Sequence, residues 1–436
     1  MYNNFLEKII IPLGDFLNKS TFKKDLIKWR NIDQLNTLEL EVLQKNNLFK
    51  ILTHAVNNTK LYNHIELVEK NPYKSLKEFP VLTKEKLRES TDKLITENIK
   101  KLTKISSSGS SGVSSSVYMN SRDLSTLRAG LIHWWEWYGY KLGNPIIQTG
   151  ISPNRGFLKK TKDYLFRTIY VSAFAHSEVQ ILTILQKISK KKYYILVGYA
   201  SSLNVFANVA ENNNLNIQFK SVISLGDKLF NHYRKNIEKT FKCKIYDTYG
   251  SAEGFLIGAE FDLPFMYILS PQCYIEILDD NDNPVPNGIM GNIVVTRLDG
   301  FAMPLIRYKI GDLGILLPKE KYPINRKFNY PLLQQIVGRD TDIVKTKNGK
   351  TLVVHSFTGV FEYISDIKQF KVVQKSLDGI LIEYIKAESF NKNILPTITN
   401  KLQQSIQDNS FKIDYKEVKS ILPSKSGKPQ IIKSYL

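Results

Sequence analysis

At 436 residues, 42% hydrophobic and 11% aromatic, the chain is too long for one ordinary core and too apolar for a disordered protein. The 61 Lys+Arg against 41 Asp+Glu give a formal charge of +20, which draws anionic partners such as nucleotides, CoA-like molecules, polyanionic glycans or an acidic membrane surface. The lysines are scattered and no nucleic-acid motif with correct spacing is present, so nucleic acid is excluded as a partner and most of the charge reads as solvated surface.

The first segment, MYNNFLEKIIIPLGDFL, has a short apolar run interrupted by Pro12 and lacks the basic leader and small-residue cleavage site of a signal peptide. It reads as a segment docked on its own domain; contact with a membrane or with polysaccharide-assembly proteins is the alternative. No apolar stretch approaches transmembrane length. Cys243 and Cys273 show no metal spacing and no disulfide framework, which fits a reducing, cytoplasmic compartment.

From Thr21 to about Tyr62 apolar residues return at helical spacing, and FPVLTKEKLRE places Thr83 at a helix start. The stretch Lys104 to Tyr118, KISSSGSSGVSSSVY, follows. A strand-like VYM then leads into a helical run from Arg122 to Tyr140, whose Trp134, Trp135, Trp137 and Tyr138 read as core. Between Ile146 and Tyr246 short β-rich runs alternate with helices, the signature of crossover units on a mainly parallel sheet. The loops Gly198-Tyr199, Gly226-Asp227 and Tyr249 to Glu253 each follow an apolar strand, where such sheets bind ligands. From Phe265 to Leu317 the pattern changes to turn-punctuated strands, predicting an antiparallel subdomain. Asn348-Gly349 marks a hairpin, and a compact α+β pattern runs to Leu436. The organisation expected is an α/β fold: a large domain over 1–338, with mainly parallel sheets plus the antiparallel subdomain, a hinge at Arg339 to Asp342, and a small α+β domain over 339–436.

The serine stretch packs eight serines and two glycines around Gly109 and Gly112. Glycines that tolerate φ > 0 and carry no Cβ let backbone N–H groups approach phosphate oxygens, and the hydroxyls add donors. By composition alone the stretch reads equally as a linker. The Walker loop is excluded by spacing, because Val344 and Leu422 stand where its first glycine belongs; Rossmann and kinase signatures are absent as well.

Seven motifs in order, SSSGSSG, GYASSL, SLGD, YDTYGSAEG, RYKIGDLG, GRDTDIVK and PSKSGK, resemble the adenylate-forming superfamily of acyl-CoA synthetases. The chain is most similar to the phenylacetate–CoA ligase family and its capsule-biosynthesis CapK branch. The resemblance, which spans nearly the whole chain, implies that Ser107, Ser108, Gly109, Ser110, Ser111 and Gly112 hold the β- and γ-phosphates of ATP. It also places Gly226 and Asp227 in the nucleotide site. Within YDTYGSAEG it puts Asp247 near the adenine amino group, Tyr249 on the adenine face, Gly250 and Ser251 in the same turn, and Glu253 on Mg²⁺. A lone carboxylate on a tight turn suits a hard cation that keeps most of its waters. Asp312 and Arg339 would reach the ribose, with Arg307 and Tyr308 bracing that loop.

Lys428 of PSKSGK is assigned the transition-state role, since a positioned ammonium is worth most when charge builds on the attacked α-phosphate and the departing pyrophosphate. Its place after the fourth strand of the small domain is what sets it apart from a solvated basic tail. His176, Tyr199 and Ala200 are candidates for the acid pocket, with a satisfied structural histidine as the ordinary alternative. The chain departs from the superfamily pattern at Val113, Ser114, Ala252 and Thr341. The implied reaction is ATP-dependent activation of a small carboxylic acid to an acyl-adenylate, with CoA as the expected thiol acceptor. Amine, hydroxyl or carrier acceptors in surface-polysaccharide biosynthesis are the alternative, and a non-catalytic basic adaptor retaining the fold is the rival of another class.

Overall fold

A computed structural model describes residues 2–68, 71–106, 116–149, 157–171, 178–189, 193–339, 343–349, 351–361, 364, 366–406, 408–422 and 430–436. Helices Phe22–Ile32 and Thr37–Asn58 open the globular body. The second begins at a capping box, in which the Asn36 side chain accepts from Glu39 N–H and the Glu39 carboxylate accepts from Asn36 N–H. Thr83 caps the helix Lys84–Glu89, as expected.

Strands β1 (Thr103–Ser106) and β2 (Ser116–Met119) form an antiparallel hairpin whose ends, Ser106 and Ser116, flank the serine loop. β3 (Ile146–Thr149), β4 (Thr168–Val171), β5 (Ile195–Gly198), β6 (Ser221–Ser224) and β7 (Ile245–Ser251) pair in parallel. β5 and β6 are buried throughout, reading ILVG and SVIS, because layers cover both faces of this half. One face meets Phe206, Phe219, Phe241 and their neighbours. The other meets Trp134, Trp135 and Tyr138, which are core as expected.

β8 (Phe255–Glu260), β9 (Met266–Ile268), β10 (Cys273–Leu278), β11 (Gly291–Arg297), β12 (Tyr308–Leu316) and β13 (Leu332–Arg339) are antiparallel. They make up the antiparallel part expected, and it is continuous with the parallel part. β7 runs parallel to β6 on one edge and antiparallel to β8 on the other, so both halves form one eleven-stranded sheet ordered β10-β11-β12-β13-β9-β8-β7-β6-β5-β3-β4. The sequence texture changes at this junction because the covering layers change; the hydrogen-bonded ladder continues.

Past Arg339, β14 (Ile343–Lys345) and β15 (Thr351–Val353) make the hairpin expected at Asn348-Gly349, with Gly349 at φ +78. β16 (Ile367–Ser376), β17 (Gly379–Lys386), β18 (Lys412–Glu417) and β19 (Ile432–Ser434) form a second sheet ordered β18-β17-β16-β19, packed on the helix Ile394–Ile406. Lys428 falls within 423–429, outside the described residues, and that segment joins β18 to β19. It therefore precedes the last strand of this sheet. A three-residue strand that pairs in parallel with β16 carries too little periodicity to be read from sequence.

Candidate active site

Three parallel strands deliver their carboxyl ends in register. Gly198 of β5 lies opposite Ser224 of β6, and Ser224 opposite Asp247 of β7. The loops that follow therefore leave the sheet side by side. Leu225 N–H donates to the Gly198 carbonyl at 2.9 Å, and Thr248 Oγ1–H donates to the Ser224 carbonyl at 2.7 Å. Gly226 turns at φ +77 against the Tyr199 ring; a Cβ there would lie 2.4 Å from Tyr199 Cε1, so the contact requires glycine.

The Asp227 carboxylate closes this corner. It accepts from the N–H groups of Ala200 and Ser201 and from Ser201 Oγ–H at 2.6 Å, capping the helix Ala200–Asn212 from a distant loop. Both oxygens are engaged in that cap. Ala200 is fully buried at the helix start, and the Tyr199 hydroxyl is pushed up by burial and by Asp227. His176 lies outside the described residues.

The acidic turn is built by two tyrosines that the sequence reading left aside or used differently. β7 bulges between Tyr249 and Gly250 and returns as β8 after a turn in which Gly254, at φ +89, donates to the Ser251 carbonyl at 3.1 Å. Gly250 sits against the Phe255 carbonyl, 2.5 Å from where a Cβ would stand. Glu253 is buried, and its Oε1 accepts from the Tyr308 hydroxyl at 3.1 Å. The Tyr308 ring lies parallel to that of Phe255, with centroids 5.9 Å apart. Tyr249 O–H donates to Asp312 Oδ2 at 2.8 Å, and Asp312 stands opposite Arg339 in the β12–β13 register. The Arg339 side chain is outside the described set.

These two bonds join strands that the sheet order separates by β8, β9 and β13. They converge the YDTYGSAEG and RYKIGDLG motifs on one site. Tyr308 was expected only to brace the loop; it holds the candidate metal carboxylate directly. Arg307 is the brace, donating to Glu276 and to the Phe79 carbonyl. The hairpin under the serine loop reaches the same place, since a Cβ on Gly254 would lie 2.3 Å from Met119 Cε. Residues 107–112 themselves fall outside the described residues.

Asp247 sits deeper. Burial, and then the nearby Glu260 carboxylate, push its pKa up to about 8. Glu260 is paired with Arg234, whose guanidinium donates to both of its oxygens at 3.0 and 2.7 Å. Asp247 Oδ1, Ser251 Oγ and Thr149 Oγ1 are closed to solvent without a hydrogen-bond partner; Thr149 and Ser251 end β3 and β7, and Asp247 lies within β7. Buried polar atoms rarely stay unpaired, so each of these has capacity for a further polar partner. Among the described residues no three His, Cys, Asp or Glu groups cluster to form a protein-only metal site.

No family model matches the chain. CapK of Staphylococcus aureus is 25% identical over 391 residues, 85% of this chain and 83% of that protein. Indoleacetate–lysine synthetase of Pseudomonas savastanoi is 29% identical over 132 residues, 29% of this chain and 31% of that protein. Among solved structures, 2-hydroxyisobutyryl-CoA ligase in a postadenylation complex superposes with a TM-score of 0.73 at 18% identity, covering 93% of this chain and 91% of that one. The chain has the adenylate-forming enzyme fold. Within that fold, the amide bond synthetase McbA from Marinactinospora thermotolerans also matches, with a TM-score of 0.57 at 14% identity over 76% of this chain and 68% of that one.

Proposed function

We propose that the chain uses ATP to activate a small carboxylic acid and then passes the acyl group to a thiol, CoA, as the phenylacetate–CoA ligase likeness of its motifs implies. The acid's carboxylate oxygen bonds to the α-phosphorus, the bond from that phosphorus to the β-phosphate oxygen breaks, and pyrophosphate leaves. The acceptor's sulfur then bonds to the carbonyl carbon of the acyl-adenylate, the bond from that carbon to the phosphate oxygen breaks, and AMP leaves with the thiol proton released to solvent.

The observation that carries this reading is the pair of bonds from Tyr308 to Glu253 and from Tyr249 to Asp312, which tie together two acidic motifs far apart in sequence. Asp312 and Arg339 hold the ribose, Asp247 meets the adenine amino group, Tyr249 offers its face to the base, and residues 107–112 receive the phosphates. Glu253 would hold Mg²⁺; one buried carboxylate fits an ion that takes its remaining ligands from water and phosphate, and the ion would supply charge neutralisation on the triphosphate. Lys428 stabilises the transition state until the small domain, 339–436, turns about Arg339 and withdraws it. Tyr199 borders the acid pocket, and ATP and CoA place the reaction in the cytoplasm.

An amine is the second acceptor this fold supports, because a lysine synthetase and an amide bond synthetase are among the matches. Pyrophosphate exchange into ATP with a panel of aromatic, aliphatic and amino acids tests the activation step. Mass spectrometry of products formed with CoA or with amines then separates the acceptors. Lys428→Ala should remove at least about 1,000-fold of the exchange while leaving transfer from a supplied acyl-adenylate; equal loss of both would refute its role. Silence across the panel, with tight polyanion binding, would favour the adaptor.

A further inference from the structure

Residues Tyr2 to Asn18 form a helix that passes through one π-helical turn, Leu6–Ile10, marked by the bond from Ile11 N–H to the Leu6 carbonyl. Leu6 and Ile11, five apart like that bond, are buried, and the Tyr2 hydroxyl donates to the Leu165 carbonyl, so one face is docked on the large domain. The other face carries a stripe at helical spacing that touches no core: Phe5, Ile9, Leu13, Phe16 and Leu17 are 46%, 54%, 53%, 81% and 70% exposed. Five large apolar side chains in one stripe mark a surface that has an occupant.

Charge identifies that occupant. Both carboxylates of the helix are engaged on the protein side: Glu7 accepts from Arg30 at 2.6 Å, and Asp15 accepts from the Lys23 N–H at 2.8 Å. The exposed charged residues from Tyr2 to Lys28 are Lys8, Lys19, Lys24 and Lys28, all cationic. A second copy of the chain would bring the same cations against one another on a molecule already at +20. A bilayer with anionic headgroups meets both requirements, apolar depth for the stripe and negative charge for its border. No described helix is long and apolar enough to cross a membrane. We infer that this helix lies in the surface of an anionic phospholipid membrane and holds the protein there peripherally.

Co-sedimentation of the full chain with phosphatidylcholine vesicles, and with vesicles that also contain phosphatidylglycerol, tests this. The chain should partition onto the anionic vesicles and leave them as salt is raised. Combining Phe5→Ser, Ile9→Ser, Leu13→Ser and Phe16→Ser should cut the partitioning at least about tenfold with an unchanged thermal midpoint, since these side chains are exposed. Combining Lys8→Glu, Lys19→Glu and Lys24→Glu should remove the preference for anionic over zwitterionic vesicles. Failure to bind anionic vesicles, equal binding by the serine variant, or a dimer that the serine variant abolishes while no vesicles are bound would each overturn the inference.

Discussion

Two carboxylate sites flank the same strand ends and are held in opposite ways. Asp227 is locked by two backbone N–H groups and a serine hydroxyl at the start of a helix, a role that consumes both oxygens. Glu253 and Asp312 instead each accept a bond from a phenol that lies far away in sequence. The difference is one of partner chemistry and cannot be read from the residue type.

Substitutions at the two sites should therefore fail differently. Glu253→Gln should lower the pyrophosphate-exchange rate about 100-fold and raise the Mg²⁺ requirement with the thermal midpoint unchanged; unaltered metal dependence would remove Glu253 from the site. Asp227→Ala should do the reverse, costing about 1–2 kcal/mol of stability by exposing orphaned N–H groups, measured by denaturant unfolding, and full stability would undo the contrast. Tyr308→Phe is a smaller probe: losing one hydrogen bond should shift the apparent Mg²⁺ affinity by roughly 2- to 10-fold without changing the affinity for the acid.

Asp247 sharpens the comparison through pH. Its folded pKa, about 8, lies above its ordinary value of 3.8, so the folded chain keeps a proton that the unfolded chain has lost between those values. The stability tied to that proton is fully present below pH 3.8 and is lost as pH rises through 8. Asp247→Asn should flatten this slope and leave the variant more stable than the parent above pH 8. A parallel pair of stability curves would mean that the Asp247 carboxyl is not kept protonated.

Much of the site was legible along the chain because loop chemistry is local. Gly226 and Gly254 do adopt the positive φ that their turns require. The tyrosine partners were not legible. Tyr308 and Glu253 are 55 residues apart, and Tyr249 and Asp312 63; no spacing rule links a phenol on one strand to an acid beyond three others. That Asp227 caps a helix was not legible for the same reason, its partners being 26 and 27 residues away. In the first helix the apolar content was plain, but which side chains dock and which face outward depended on the π turn and on what lies beneath it.

Sequence alone determined the alternation of strands and helices, the places where glycine must break the chain, and the order of the nucleotide-type motifs, since each depends on residues within a turn or two of one another. Tertiary structure decided that the parallel and antiparallel halves share one sheet, which carboxylate caps a helix and which accept from distant phenols, and which helix face remains uncovered. Those outcomes depend on side chains meeting across many tens of residues, where the closure of the sheet, and not local preference, sets the distance.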